Sequence, residues 1–384
     1  MSRDEFLVFG RPMIQEAEIA DVVECLRSGW VGTGPRVTRF ERLLEQYIGV
    51  AHVRCVSSCT AALTLGLLAL GIGPGDEVLV PSMTFVATAN AVFHTGADVV
   101  LVDCERGTGL IDLDAAEAAI GPRTRAVVPV HMAGAPVDMT RVNALRDRYG
   151  LVVVEDAAHA LGAAWRDRRI GAHGNVTAYS FYVTKNITTI EGGALATEDE
   201  DVAEAVERLA LHGLSVGAWR RFSDPSYVHY EVDRPGFKSN MTDVQAALGI
   251  HQLGRLDAWI ERRAELWGRY DALLGDLSVE GPPTSPPEAV HARHLYRILT
   301  PTDGPLDRDG LIAALAAEGI GTGVHYRAVH LHPYYRDRYE LAPERFPIAT
   351  DMSERTLSLP LSPALTEADQ RDVAAALTSA MERS

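Results

Sequence analysis

The chain has 384 residues, 47% of them hydrophobic and 23% charged, with 52 acidic against 36 basic side chains and a formal net charge of −16. Such a composition suits a globular protein with apolar material for more than one core, and it excludes a disordered polymer. The acidic balance opposes general attraction to nucleic-acid phosphates, and no run of about 20 apolar residues offers a membrane span.

The first ten residues mix Arg3, Asp4 and Glu5 with few apolar side chains. That lacks the apolar stretch of a secretory signal, so a cytoplasmic location is expected. Between residues 51 and 198, short β-branched or apolar runs at 77–80, 99–103, 126–131, 151–155, 177–181 and 194–197 alternate with helical patterns such as 61–70 and 140–149. The alternation predicts an α/β sheet of mostly parallel strands, and the nearly continuous apolar runs suit a sheet covered on both faces.

From 242 to 277 an apolar stripe of Leu248, Leu253, Leu256, Ile260, Leu266 and Tyr270 predicts one long helix. The prolines of residues 281–287 mark a linker. Beyond it, strands are expected at 294–300 and 323–326 and helices at 311–318 and 367–381. The expected organisation is a large α/β domain over 1–250 and a small α+β domain over 251–384, entered by the long helix.

Three segments carry chemistry. In Ser57-Ser-Cys-Thr-Ala61, hydroxyls and free backbone N–H groups stand between a strand and an apolar helix, where they serve equally as a helix cap or a phosphate seat. Val152-Val-Val-Glu-Asp-Ala-Ala-His159 puts Glu155 and Asp156 at a strand end, where ligand sites gather in open α/β sheets. There an acid either caps the next turn or faces a ligand, and Asp156 is the candidate for a pyridine nitrogen. Ser180-Phe-Tyr-Val-Thr-Lys-Asn186 puts Lys185 in a loop between buried strands, where it is either a solvated surface lysine or an amine suited to Schiff-base chemistry by desolvation. The four cysteines, Cys25, Cys55, Cys59 and Cys104, show neither metal spacing nor disulfide density, and His325, His330 and His332 lack companion ligands, so no metal is expected.

In order and spacing these segments resemble the DegT/StrS family of pyridoxal-phosphate (PLP) sugar aminotransferases. So do Gly29-Trp-Val-Gly-Thr-Gly-Pro35, Pro81-Ser-Met-Thr-Phe-Val-Ala-Thr88, Pro129-Val-His-Met-Ala-Gly134 and the stretch from Gly236 to Leu248. The resemblance implies the aspartate-aminotransferase-like fold (fold type I), with Lys185 holding the cofactor covalently and Asp156 pairing with its ring nitrogen. It further implies Phe85 stacked on the ring, His159 near the phenolic oxygen, and Cys59, Thr60 and Ser180 on the phosphate. Lys238 and Asn240 would reach the phosphate of a neighbouring subunit, making a homodimer with shared sites.

Trp30, His325, Tyr326 and His330 are the substrate contacts it suggests. By the same resemblance an amino acid, L-glutamate, converts the cofactor to pyridoxamine phosphate, and a nucleotide-linked 4-keto sugar then takes the amine. Amination of a 3-keto sugar or a cyclitol ketone is the alternative. Lys185 argues against the family's dehydratases, which carry histidine there, and the joint presence of Lys185, Asp156 and Thr60 argues against a binding protein without turnover. The chain departs from the commonest pattern at His159, Tyr182, Ile190 (where glycine is frequent) and the Lys238/Asn240 pair.

Overall fold

The computed structural model describes residues 3, 5–215, 229–232 and 234–382. Two helices, α1 (Glu16–Ser28) and α2 (Pro35–Ile48), precede the first strand, β1 (His52–Val56). The chain then alternates: α3 (Cys59–Ala69), β2 (Glu77–Pro81), α4 (Val86–Thr95), β3 (Asp98–Val102), α5 (Leu113–Ala118), β4 (Thr124–Val127), α6 (Met139–Tyr149) and β5 (Val152–Asp156). A short hairpin of β6 (Ala164–Trp165) and β7 (Arg168–Arg169) leads to β8 (Val176–Ser180), β9 (Gly193–Thr197) and α7 (Glu200–Ala210).

Seven strands form one sheet in the order β1-β9-β8-β5-β4-β2-β3. The pairs from β3 through β8 are parallel, and β9 runs antiparallel to both β8 and β1. The apolar runs therefore become central strands, buried as expected of a doubly covered sheet. α3 packs on the middle of it, and Gly66 makes the approach possible: a Cβ there would lie 2.9 Å from Leu195 Cδ1 and 3.1 Å from Val176 Cγ1.

This register fixes one edge of the sheet. Gly193 opens β9 abreast of Val56 at the end of β1 and Ser180 at the end of β8, while Asp156 ends β5 beside Ala178. The ends of three strands and the start of α3 thus meet at the kind of crevice where α/β sheets bind ligands.

The long helix expected over 242–277 is two helices, α8 (Asp243–Leu253) and α9 (Leu256–Leu274). Thr242 and Gln245 form a capping box at the start of α8. The break falls at Gly254 and Arg255, where a glycine of low helix propensity lets the axis change. α9 starts in the main core with Leu256 and Trp259 and ends in a second core with Leu266, Trp267, Tyr270 and Leu274. That second core also holds the antiparallel strands Tyr296–Leu299 and Thr356–Leu359 and the helices Arg308–Ala317 and Glu367–Glu382. The strand expected at 323–326 is not formed: only Gly323 bridges, to Ser358, and the following residues turn toward the crevice.

Candidate active site

α3 begins at the crevice with Ser58 as its cap, the hydroxyl accepting from Ala61 N at 3.1 Å. A helix leaves its first N–H groups without intrahelical partners, and its dipole favours negative charge there, so the turn at Cys59 and Thr60 is suited to an anion. Gly193 presses against this turn. A Cβ on it would lie 2.4 Å from the Ser58 carbonyl carbon and 2.5 Å from Cys59 N.

Asp156 is buried at the end of β5. One oxygen accepts from Thr88 Oγ1 at 2.8 Å, the other from Ala158 N at 3.0 Å, and Cys59 Sγ stands 3.9 Å from it. Thr88 is itself bonded to Thr84 at 2.8 Å, so the carboxylate is fixed from the side of α4. Lys185 lies in the loop after β8. Phe181 N donates to Gly192 O and Thr189 N to Phe181 O, which closes that loop on itself. Within it, Ile190 adopts φ +72°, the left-handed region where a β-branched residue is strained and a glycine is not. Burial lowers the Lys185 amine to about 8, against the opposing pull of Cys59 and Asp156.

Opposite stand residues from the C-terminal part. Tyr326 Oη is 2.9 Å from His159 Nε2, and the Tyr326 ring packs against Phe85 at 5.3 Å. His294 lies against His159 at 4.5 Å, with its Nδ1 3.1 Å from Asn186 Oδ1. His325 Nδ1 bonds Ser358 Oγ at 2.9 Å, and its ring stacks on Phe9 at 5.4 Å. Burial pushes His159 and His294 well below the usual histidine range and His325 to about 3, so these rings are neutral.

One cavity of about 450 Å³ is lined by Cys59, Thr60, Phe85, Asp156, His159, Ser180, Lys185, His325 and Tyr326 together. Four other expected residues lie off its wall. His330 is fully buried between Ser82 Oγ at 2.6 Å and Thr350 Oγ1 at 2.9 Å and stacks on Phe346, so the expected substrate contact gives way to a packing role. Trp30 is turned into its own loop, donating to Thr33 O at 3.1 Å, and does not touch substrate space within one chain. Lys238 donates to Asn240 Oδ1 at 2.7 Å, and Asn240 to Thr33 Oγ1 at 2.6 Å, outside the chain's own cavity.

Sequence reasoning passed over Thr84, His294 and Glu191 on the wall and Thr88 behind Asp156. Thr84 and Thr88 belong to the motif of residues 81–88, but nothing local to His294 signals that it will lie on His159. A second cavity of about 420 Å³, between Trp165, Trp267 and Pro283, holds none of the predicted side chains. Among the described residues no group of His, Cys, Asp or Glu is arranged to hold a metal, and no helix is long and apolar enough to cross a membrane.

An anion seat at a helix start, a desolvated lysine, a fixed carboxylate and an aromatic face in one cavity fit PLP, and on this sheet they define a PLP-dependent transferase of fold type I. The chain belongs to the DegT/DnrJ/EryC1/StrS aminotransferase family, whose model matches residues 12–378, and it is a PLP-dependent sugar aminotransferase. It is 45% identical to the spore coat polysaccharide biosynthesis protein SpsC of Bacillus subtilis over 97% of this chain and 96% of that protein. The putative sugar aminotransferase Spr1654 from Streptococcus pneumoniae, in its pyridoxamine-phosphate form, superposes with a TM-score of 0.91 at 32% identity, covering 98% of this chain and 99% of that one. DesV of S. venezuelae, solved with a ketimine intermediate, superposes at 0.86 with 38% identity over 96% and 95% of the two chains.

Proposed function

We propose that the enzyme moves the amino group of L-glutamate to a nucleotide-linked 4-keto sugar, working as a cytoplasmic homodimer whose sites are shared between subunits. The observation that carries this reading is the shared cavity: Lys185, Asp156 and the start of α3 face one another across it. Thr60, Ser180 and the first turn of α3 would hold the cofactor's phosphate, Phe85 would stack on its ring with His159 near the phenolic oxygen, and Asp156 would keep the ring nitrogen protonated. When bound, PLP supplies an aldehyde for covalent attachment and a ring that accepts electrons.

Lys185 is the covalent anchor. As a free amine it would take the proton from the donor's α-carbon, a task its lowered basicity favours near neutral pH. The same residue serves in reverse on the keto sugar, so donor and acceptor alternate in one site with ping-pong kinetics. The 4-keto assignment is supported by the family resemblance of the Gly321–His330 segment and of the Gly236–Asn240 stretch.

Sharing between subunits is supported by apolar side chains that a lone chain leaves open. Ile19, Leu26, Val31, Tyr182, Ile190 and Phe237 are each more than 40% exposed. The bonds from Asn240 to Thr33 and from Gln245 to Glu191 tie the segments carrying Val31 and Ile190 to the stretch 240–245.

Two measurements test the reading. Borohydride reduction of the PLP enzyme should fix the cofactor to the peptide containing Lys185, and labelling of another lysine sinks the assignment. Incubation with glutamate and a panel of nucleotide-linked 3-keto and 4-keto sugars, read by mass spectrometry and NMR, should place the new amine at carbon 4.

A further inference from the structure

We propose that Tyr326 is a one-way hydrogen-bond donor to the carbonyl oxygen of the keto substrate, and that His159, oriented by the Ala133 amide, is the positioning residue that sets its direction. The inference rests on the function proposed above and assigns the part of the cavity that greets the acceptor.

Hydrogen-bond polarity sets the direction of these groups. Ala133 N–H donates to His159 Nδ1 at 3.2 Å, so that nitrogen presents its lone pair. A neutral imidazole with an accepting Nδ1 carries its proton on Nε2. His159 is neutral because burial disfavours its charged form. Its Nε2–H therefore points at Tyr326 Oη, 2.9 Å away, and the tyrosine accepts.

A phenolic hydrogen lies near the plane of its ring, in one of two opposed positions. With the side toward His159 taken by an incoming N–H, the tyrosine's own hydrogen turns the other way. Among the described residues no acceptor for it is present, while Tyr326 shares the cavity wall with Lys185 and Asp156. Burial also pushes the phenol above its usual range, so it keeps that hydrogen.

The parts around it are immobilised. The peptide N–H of Ala133 is set by a backbone at φ +57° between Met132 and Gly134, and the Ala133 carbonyl accepts from His294 N. His294 is oriented in turn. Asn186 Nδ2 donates to Ala292 O at 2.8 Å, which leaves its Oδ1 to accept from His294 Nδ1, and the imidazole is pressed against His159. Phe85 and His325 hold the Tyr326 ring, at 5.3 and 4.9 Å.

A hydroxyl that can only donate suits a partner that can only accept. A ketone oxygen is such a partner, and donation polarises its carbonyl toward attack by the amine. No proton is transferred from Tyr326; the hydrogen bond strengthens as negative charge grows on the oxygen. Placed here, the same donor disfavours a sugar carbon bearing a hydroxyl whose hydrogen points at it.

The tautomer is read directly on the wild-type enzyme by nitrogen NMR of ¹⁵N-histidine-labelled protein, with His159 assigned from the signal lost in His159→Gln. The expected pattern is a protonated Nε2 and an unprotonated Nδ1, and the reverse overturns the proposal. In single-turnover measurements, Tyr326→Phe should slow the acceptor half-reaction by on the order of 10- to 100-fold while leaving the loss of glutamate's α-hydrogen, read by its exchange with solvent, within about twofold.

In His159→Gln, whose carbonyl can take the Ala133 N–H and whose amide can donate to Tyr326, the ratio of the acceptor half-reaction to glutamate's α-hydrogen exchange should stay near that of the wild type. His159→Leu should follow Tyr326→Phe. Equal slowing of the acceptor half-reaction and of glutamate's α-hydrogen exchange in Tyr326→Phe would place the hydroxyl on the cofactor and refute the inference, as would equal behaviour of the Gln and Leu variants. A wild-type enzyme that fails to react with glutamate would instead refute the function on which the inference rests.

Discussion

Lys185 shows how a reactive residue burdens the chain that carries it. Its amine is lowered from 10.5 to about 8 by burial, so the folded state binds the proton less tightly than the unfolded state. Below pH 8 both states are protonated and the folded, cofactor-free chain bears the whole penalty. Between 8 and 10.5 only the unfolded state keeps the proton, so stability from this group rises with pH across that window and is level above it. Lys185→Met should therefore stabilise the cofactor-free protein by about 2–3 kcal/mol at pH 7, with the advantage closing as pH passes from 8 to 10.5. Denaturant unfolding of both proteins across that range measures it, and a pH-independent difference would contradict the assignment. At the other end of the site, Asp156→Asn preserves the size of a side chain held by Thr88 and Ala158 but cannot hold a ring nitrogen protonated. It should slow both half-reactions by on the order of 100-fold or more with the fold intact. Near-wild-type single-turnover rates with glutamate would remove Asp156 from that role.

Among the elements, the meeting of α3 with β9 decides whether an anion can be seated. Gly193 is required there by contact, because any side chain would collide with the Ser58–Cys59 backbone rather than with a flexible neighbour. Gly193→Ala should lower PLP affinity by on the order of 10-fold or more, since the N–H groups that would hold a phosphate are displaced while the rest of the sheet keeps its pairing. Equilibrium titration of the cofactor-free protein with PLP, beside a far-ultraviolet circular dichroism spectrum, checks both halves of that statement. α3 itself was legible in the sequence, because its apolar run and the preceding Ser57 and Ser58 are local signals. The interruption at Gly254 was not, because the apolar stripe continues through it and only the change from one core to the other reveals the turn. The segment 323–326 misled for a related reason: its β-like composition gives way to contacts of His325 with Ser358 and of Tyr326 with His159.

At the scale of the whole molecule, Lys238 and Asn240 decide whether the sites are shared. In one chain they lie off the cavity wall, bonded to each other and to Thr33. If they complete a partner's phosphate seat, neither chain holds a whole site alone. A Lys185→Ala chain mixed with a chain carrying Lys238→Ala and Asn240→Ala then forms mixed dimers with one doubly defective site and one intact site. Activity should return on subunit exchange to about a quarter of the wild-type level at equal mixing: half of randomly paired dimers are mixed, and each has one working site. The double variant must first be shown to be weak by itself. Mixed dimers that form without regaining activity would return both residues to the fold.

The sequence by itself determined the layering of the sheet and the polar loops at its edge, which are properties of short segments written in periodicity and in residue type. The family resemblance named Lys185, Asp156 and the start of α3 as site candidates, and the fold gathers them on one cavity. What only the tertiary structure decided is which distant residues stand opposite them. His330 turns inward to Ser82 while Tyr326, four residues earlier, reaches His159, and His294 comes to lie on that same ring. No local pattern encodes those meetings, because each depends on how the second core docks on the first and on a sheet register that brings Val56, Gly193 and Ser180 abreast.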